Sequence, residues 1–328
     1  MVRKIRNINL SVGSCPLVVV CRFLMPFFIF HFSFFIGFSQ PVFLPTHHTR
    51  DKSISWSDSV FNTLTPTQRI GQLFMVAAYS TAQTDTSKIK RIIDSCGIGG
   101  LIFMQGEPTQ QAALTNYYQS KSKVPLLISI DAEWGLDMRL AHTVRFPRQM
   151  TLGAISSEAD TLIYFMGKEI AKHCKRLGIH VNFAPVADIN NNPLNPVISS
   201  RSFGENKITV TRKSLLYMKG MQDAGVLAVA KHFPGHGDTD SDSHKTLPTI
   251  TCSKERMDSL ELFPFKKLFT EGVGGVMVAH LFIPAYDSST NTASTLSPPI
   301  VTDLLKNELK FEGLIFTDAL NMKGVSDY

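Results

Sequence analysis

Seven short apolar runs, most of them leading into a polar residue, recur between positions 73 and 318 of this 328-residue chain, and they leave few folds open. They occupy 73–78, 99–104, 125–130, 181–187, 226–230, 275–280 and 313–318. Segments with apolar residues at three- and four-residue spacing lie between most of them, which predicts helices at 86–94, 110–119, 157–177, 209–222, 257–270 and 299–307. Thr65-Pro66 has the form of a helix start, a hydroxyl cap followed by Pro in the first turn. The 157–177 helix carries Leu162, Met166, Ile170, Cys174 and Leu177 as its apolar stripe and is closed by Gly178. The 257–270 helix is expected to break near Pro264. Apolar strands alternating with helices form a parallel sheet.

The polar residues at the strand ends decide between the two common parallel folds. Asp131, Asp188, Lys231, His232, His280 and Asp318 stand where strands stop. An open doubly wound sheet gathers its ligand at one switch point, whereas a (β/α)8 barrel brings all strand ends to one face. The expected fold is therefore a (β/α)8 TIM-type barrel, truncated after its seventh strand in this chain. No glycine-rich dinucleotide or phosphate loop follows a strand.

Composition narrows the class. The formal charge of +6 misleads, because residues 1–50 hold Arg3, Lys4, Arg6, Arg22 and Arg50 and no acid, leaving 28 basic residues against 27 acidic ones. A near-neutral body offers no electrostatic footprint for nucleic acid. Residues 1–40, with basic residues before an apolar stretch, read as a signal peptide or an amino-terminal anchor, and 41–64 as a polar lead-in to a domain at 65–328. An exported, periplasmic or extracellular protein is expected, touching a membrane only through such an anchor. Cys96, Cys174 and Cys252 are too few and too widely spaced for a disulfide framework or a zinc site, and are expected to be buried thiols.

The run Lys231-His232-Phe233-Pro234-Gly235-His236-Gly237-Asp238-Thr239-Asp240-Ser241-Asp242-Ser243-His244 concentrates the titratable groups. Pro and Gly forbid a regular helix there, so a strand delivers Lys231 and His232 and an irregular loop follows. His244 lies two residues beyond Asp242, close enough for the carboxylate to orient and charge the ring as an acid/base pair, or for a purely structural contact. His232 and His236 have the spacing of a helical zinc pair, but Phe233-Pro234-Gly235 prevents the helix; a metal loop with Asp238 and Asp240 is the competing reading. Asp318 ends an apolar strand and is either a buried anchor or a catalytic carboxylate. Asp188 is expected to be structural and His280 buried and satisfied.

This run resembles the signature loop of bacterial β-N-acetylglucosaminidases of glycoside hydrolase family 3. The resemblance extends to Asp131-Ala-Glu-Trp-Gly with Arg139, Asn182-Phe-Ala-Pro-Val-Ala-Asp188, Arg201-Ser-Phe-Gly and Phe316-Thr-Asp318-Ala-Leu-Asn-Met322, in that order. It implies a retaining hydrolase without cofactor or metal, acting on terminal β-linked N-acetylglucosamine in peptidoglycan fragments or related glycans. Asp318 matches the nucleophile, His244 the acid/base and Asp242 its partner. Asp131, Arg139, Arg201, Lys231 and His232 match sugar-binding positions, and His236 lies in the same motif. Some relatives carry a further carboxyl-terminal domain. Trp134 and Leu136 depart from the family pattern, Trp134 as an aromatic wall or as core filling. The alternatives are a β-glucosidase-type hydrolase without N-acetyl preference, a metal-dependent hydrolase, and a sugar-binding barrel without turnover.

Overall fold

The computed structural model describes residues 50–243, 246–289 and 291–326; the leader and His244 lie outside them. Strands β1 (Met75–Ser80), β2 (Gly100–Gly106), β3 (Leu127–Ile130), β4 (Val181–Asn182), β5 (Leu227–Phe233), β6 (Gly275–Val278) and β7 (Leu314–Thr317) pair in that order, all in parallel. They are accompanied by α1 (Arg50–Thr63), α2 (Pro66–Gly71), α3 (Thr86–Cys96), α4 (Pro108–Lys121), α5 (Gln149–Gly153), α6 (Thr161–Arg176), α7 (Lys207–Asp223), α8 (Lys254–Ser259), α9 (Leu262–Thr270) and α10 (Lys323–Ser326), with a π-helix at Pro299–Glu308. The result is the curled, seven-stranded wall of a (β/α)8 TIM-type barrel. Among the described residues the ladder ends at β1 and β7, and Tyr79 and Leu314 on these strands are exposed.

Strand periodicity builds the wall's two faces. Val181, Phe183, Val229 and Met277 form one apolar cluster, with Met75, Ile102, Leu127, Leu227 and Phe316 packed on it. The larger cluster lies between sheet and helices and includes Leu101, Phe103, Ile128, Ile130, Ala228 and Ala230. Alternate residues of β2, β3 and β5 thus fill opposite sides, as the two-residue period requires. Lys231 stands two residues beyond Val229, Asp318 two beyond Phe316, and Asp131 four beyond Leu127. The small cluster is therefore the floor on which these polar side chains stand.

Several boundaries differ from expectation. The stretch read as lead-in is helical from Arg50 to Thr63. Leu73 and Phe74 are exposed and precede β1. In α6 the buried stripe is Ile163, Met166, Ile170 and Cys174, while Leu162 is 61% exposed, so the true helical face is rotated by one residue at its start. β4 keeps only two ladder residues, because Pro185 has no N–H to donate; its carbonyl instead accepts from Lys231 N at 3.1 Å. The helix break falls at Leu260, and Pro264 sits in the first turn of α9, where its missing N–H costs nothing. Thr65 caps α2 with a reciprocal Gln68 bond, and Gly178 (φ 69°) follows α6. Cys174 is buried, whereas Cys96 and Cys252 are half-buried, and all three are free thiols. Among the described residues no helix is long and apolar enough to cross a membrane.

Candidate active site

The sheet lifts two buried carboxylates and a buried ammonium to the same level. Asp131 follows β3, Lys231 lies on β5, and Glu133 is held two residues past Asp131. Lys231 Nζ lies 2.8 Å from Asp131 Oδ1 and 2.7 Å from Glu133 Oε1. Arg139 donates to the other oxygen of Asp131. Arg201, placed by the single turn Ser199–Arg201, grips Glu133 with two nitrogens, Nη2 to Oε1 at 2.7 Å and Nε to Oε2 at 3.1 Å. Two carboxylates thus face three cations in a site where Lys231 and Glu133 are almost wholly buried.

Burial alone would raise both carboxyl pKa values. For Glu133 the charges of Arg201 and Lys231 outweigh burial and hold it well below the usual range; for Asp131, Lys231 and Arg139 do the same. Burial would likewise lower the Arg201 pKa, but Glu133 drives it upward. Asp131, Glu133 and Arg201 are therefore held in their charged forms. Each Asp131 oxygen keeps a second lone pair, Lys231 has a third N–H, and Arg139 Nε is buried without a partner among the described residues. Those are donors and acceptors of the kind that sugar hydroxyls require.

His232 joins this cluster to the loop. Its Nε2 lies 3.2 Å from Arg201 Nη2, which can only donate, so Nε2 accepts and Nδ1 carries the proton. Nδ1–H then donates to Asp188 Oδ2 at 2.7 Å. Asp188, fully buried, also accepts from the backbone N–H of His232 at 3.0 Å and of His236 at 2.7 Å. It is the structural anchor the sequence suggested. Burial works to raise its pKa, but the two histidines and their hydrogen bonds hold it low. The peptides Lys231–His232, Phe233–Pro234 and Ala184–Pro185 are cis.

His236 is a loop-holding residue. Nδ1 lies 2.8 Å from Thr239 Oγ1 and Nε2 3.2 Å from Ser243 Oγ, while its carbonyl accepts from Asn195 Nδ2 at 2.8 Å. Burial, then the neighbouring His232, lower its pKa to about 4, so it is neutral near pH 7. With both ring nitrogens of His232 and His236 engaged, neither ring offers a metal a lone pair without breaking these contacts. Among the described residues no group of three or more His, Cys, Asp or Glu could hold a metal.

Asp318 follows β7. Its N–H donates to Val278 O at 2.9 Å, and its Oδ1 accepts from Ala319 N at 2.8 Å. The side chain is half-buried, and its charge reaches His236. His280 is buried and satisfied: Nε2 donates to Ala319 O at 3.1 Å and Nδ1 meets Thr295 Oγ1 at 2.7 Å, which ties the residue after Asp318 to the end of β6. Beyond it, Gly324 N donates to Ser243 O at 3.1 Å. A side chain at 324 would meet Ser243 O at 2.9 Å and Thr246 O at 3.0 Å, so this glycine lets the segment after β7 lie against the backbone of Ser243 and Thr246. Asp242 is half-buried, and its carbonyl accepts from Thr246 N at 3.1 Å. Trp134 is half-buried beneath the Arg148 guanidinium, 4.1 Å from its ring centroid.

The sequence reading missed the weight of Glu133. Its signal was available: it lies in the quoted Asp131-Ala-Glu motif, two residues from Asp131. Lys231, Arg139 and Arg201, expected as donors to substrate, each also pair with one or both of the two carboxylates.

A profile of the glycosyl hydrolase family 3 N-terminal domain matches residues 65–328. Beta-hexosaminidase A of Pseudoalteromonas piscicida is 39% identical over 263 residues, covering 74% of this chain and 44% of that protein. The structure of a family 3 beta-N-acetylglucosaminidase from a Paenibacillus species superposes with a TM-score of 0.76 at 40% identity, over 81% of this chain and 51% of that one. NagZ from Neisseria gonorrhoeae, solved with N-trifluoroacetyl-D-glucosamine, gives 0.68 at 31% identity over 75% and 74%. The chain spans about half the length of the first two relatives.

Proposed function

Because the chain belongs to glycosyl hydrolase family 3 through its N-terminal domain, we propose that it serves a retaining exo-hydrolase that releases terminal β-linked N-acetylglucosamine. The Asp131–Lys231–Glu133–Arg201 cluster at the ends of the sheet, with Asp318 at the end of β7, is the observation that carries this reading. A neutral sugar gives an enzyme only hydroxyls and an amide to grip, and buried ionised groups in fixed positions make the strongest hydrogen bonds to them. Names of the relatives, and the amino-sugar analogue bound to the Neisseria protein, support the N-acetyl preference.

In this mechanism Asp318 attacks the anomeric carbon as the bond to the leaving oxygen breaks, forming a glycosyl ester. His244, oriented by Asp242, protonates that oxygen; it then takes a proton from the water that cleaves the ester. Most retaining enzymes use a second carboxyl group here. An imidazole is never negatively charged, so it tolerates an acidic leaving group, which favours peptidoglycan fragments bearing a carboxylate. No cofactor takes part. Residues 1–40 act as a signal peptide or anchor for an exported enzyme.

The test is turnover of paired aryl β-glycosides with and without the acetamido group. The N-acetylglucosaminide is expected to be preferred, and Asp318→Asn to lower kcat by about a thousandfold or more at unchanged Tm. Near-normal turnover in that variant would remove Asp318 as nucleophile. Equal or better turnover of the plain glucoside would remove the N-acetyl preference in favour of a β-glucosidase-type enzyme.

A further inference from the structure

The break between α8 and α9 turns a carboxylate inward against the histidine loop. Leu260, at φ −123° and ψ −75°, ends α8, and Glu261 follows it with 2% exposure. Its Oε1 accepts from Arg256 Nη2 at 3.0 Å and from Asn191 Nδ2 at 3.3 Å. The same Arg256 nitrogen lies 3.6 Å from Asp238, inside the loop. The loop backbone presses on the carboxylate's own stem: a Cβ at Gly235, where φ is 131°, would stand 2.8 Å from Glu261 Cβ. Glu261 Oε2 is buried and has no partner among the described residues. Burial raises this carboxyl's pKa, while Arg256 opposes the rise and Asp238 adds to it.

Nothing in the proposed chemistry calls for a nearly buried carboxylate here. Asp188 and Asn195 also hold the backbone of His232 and His236. We propose that Glu261 is a positioning residue, which through Arg256 and Asn191 clamps the loop 233–239 and so sets the placement of His232 and His236. As regards turnover this rests on the glycosidase reading; as regards the loop it stands on the contacts alone.

Hydrogen exchange of the whole chain, with Glu261→Ala and Glu261→Gln compared with wild type, tests it. Glu261→Ala is expected to speed exchange of loop amides 235–239 by about tenfold or more while β2 and β3 stay protected. Glu261→Gln keeps an oxygen for Arg256 and Asn191 and is expected to stay within about threefold of wild type. On the aryl N-acetylglucosaminide, the Ala variant is expected to lose about tenfold or more in kcat with KM changed less than about threefold, and Gln to restore it. Unchanged loop exchange in Glu261→Ala, or equal loss in both variants, overturns the clamp. If the wild-type chain hydrolyses neither glycoside, the glycosidase reading fails instead, and loop exchange still decides the clamp.

Discussion

At the scale of single residues, the site is a charge balance among Asp131, Glu133, Lys231, Arg139 and Arg201. Lys231 is buried and Arg201 half-buried with Glu133 and Asp131 as acceptors, and removing an acceptor strands a charge. Truncating one partner of a buried pair costs about 3–5 kcal/mol. Glu133→Ala is therefore expected to lower the urea-unfolding free energy by roughly that amount, and Glu133→Gln by less, since its amide oxygen still accepts. Equal stability of Glu133→Ala and wild type would mean that solvent reaches Lys231 and Arg201 freely. Asp131 and Lys231 were legible as a site because apolar runs lead into them. Glu133 was in view only as a member of the Asp131-Ala-Glu motif; its weight in the site shows once its partners, 68 and 98 positions onward, are brought to it.

At the scale of elements, the helix pair behind β3 and β4 locks the loop that carries Glu133. Tyr217 on α7 reaches the carbonyls of Ala132 at 3.0 Å and Glu133 at 3.1 Å. α7 can approach α6 because glycines face backbone at their crossing: a Cβ at Gly220 would stand 2.0 Å from Tyr164 O, and one at Gly167 2.5 Å from Tyr217 O. Gly220→Ala must push the helices apart. Overpacking of this kind costs about 1–3 kcal/mol, and here it also withdraws Tyr217, less than one turn away. A lowered Tm together with faster amide exchange at 131–135 is expected; a variant as stable as wild type would show that the crossing is loose. Helix propensity alone argues for Ala at both positions, so a single sequence gives no warning of this close approach.

Taken as a whole, the molecule should lose stability in acid in two stages. His236 has its pKa lowered from 6.5 to about 4, so between those values the unfolded chain binds more protons than the folded one. Its contribution is present above pH 6.5 and is lost as pH falls through 4, worth roughly 3 kcal/mol by linkage. Asp131, Asp160 and Asp188, all lowered from 3.8, contribute above that value and lose it at lower pH. Glu261, raised by burial, works in the opposite sense and loses stability as pH rises through its own pKa. Urea titrations should show stability falling between pH 6.5 and 4, with a flatter profile in His236→Gln. An unchanged slope in that variant would assign the loss to other groups.

The chain by itself determined the alternation of apolar strands and helices, and with it the parallel (β/α)8 wall, since the two-residue and 3.6-residue periods are local properties. It also marked Asp131, Lys231, His232 and Asp318 at strand ends, and Asp188 as an anchor. Only the tertiary structure decided that the cations pair with Asp131 and Glu133, that the Nε2 of His232 accepts from Arg201, that α6 buries Ile163 and exposes Leu162, and that Glu261 lies against the loop. Each depends on groups distant in sequence meeting in space, and on burial raising the cost of any that fail to pair.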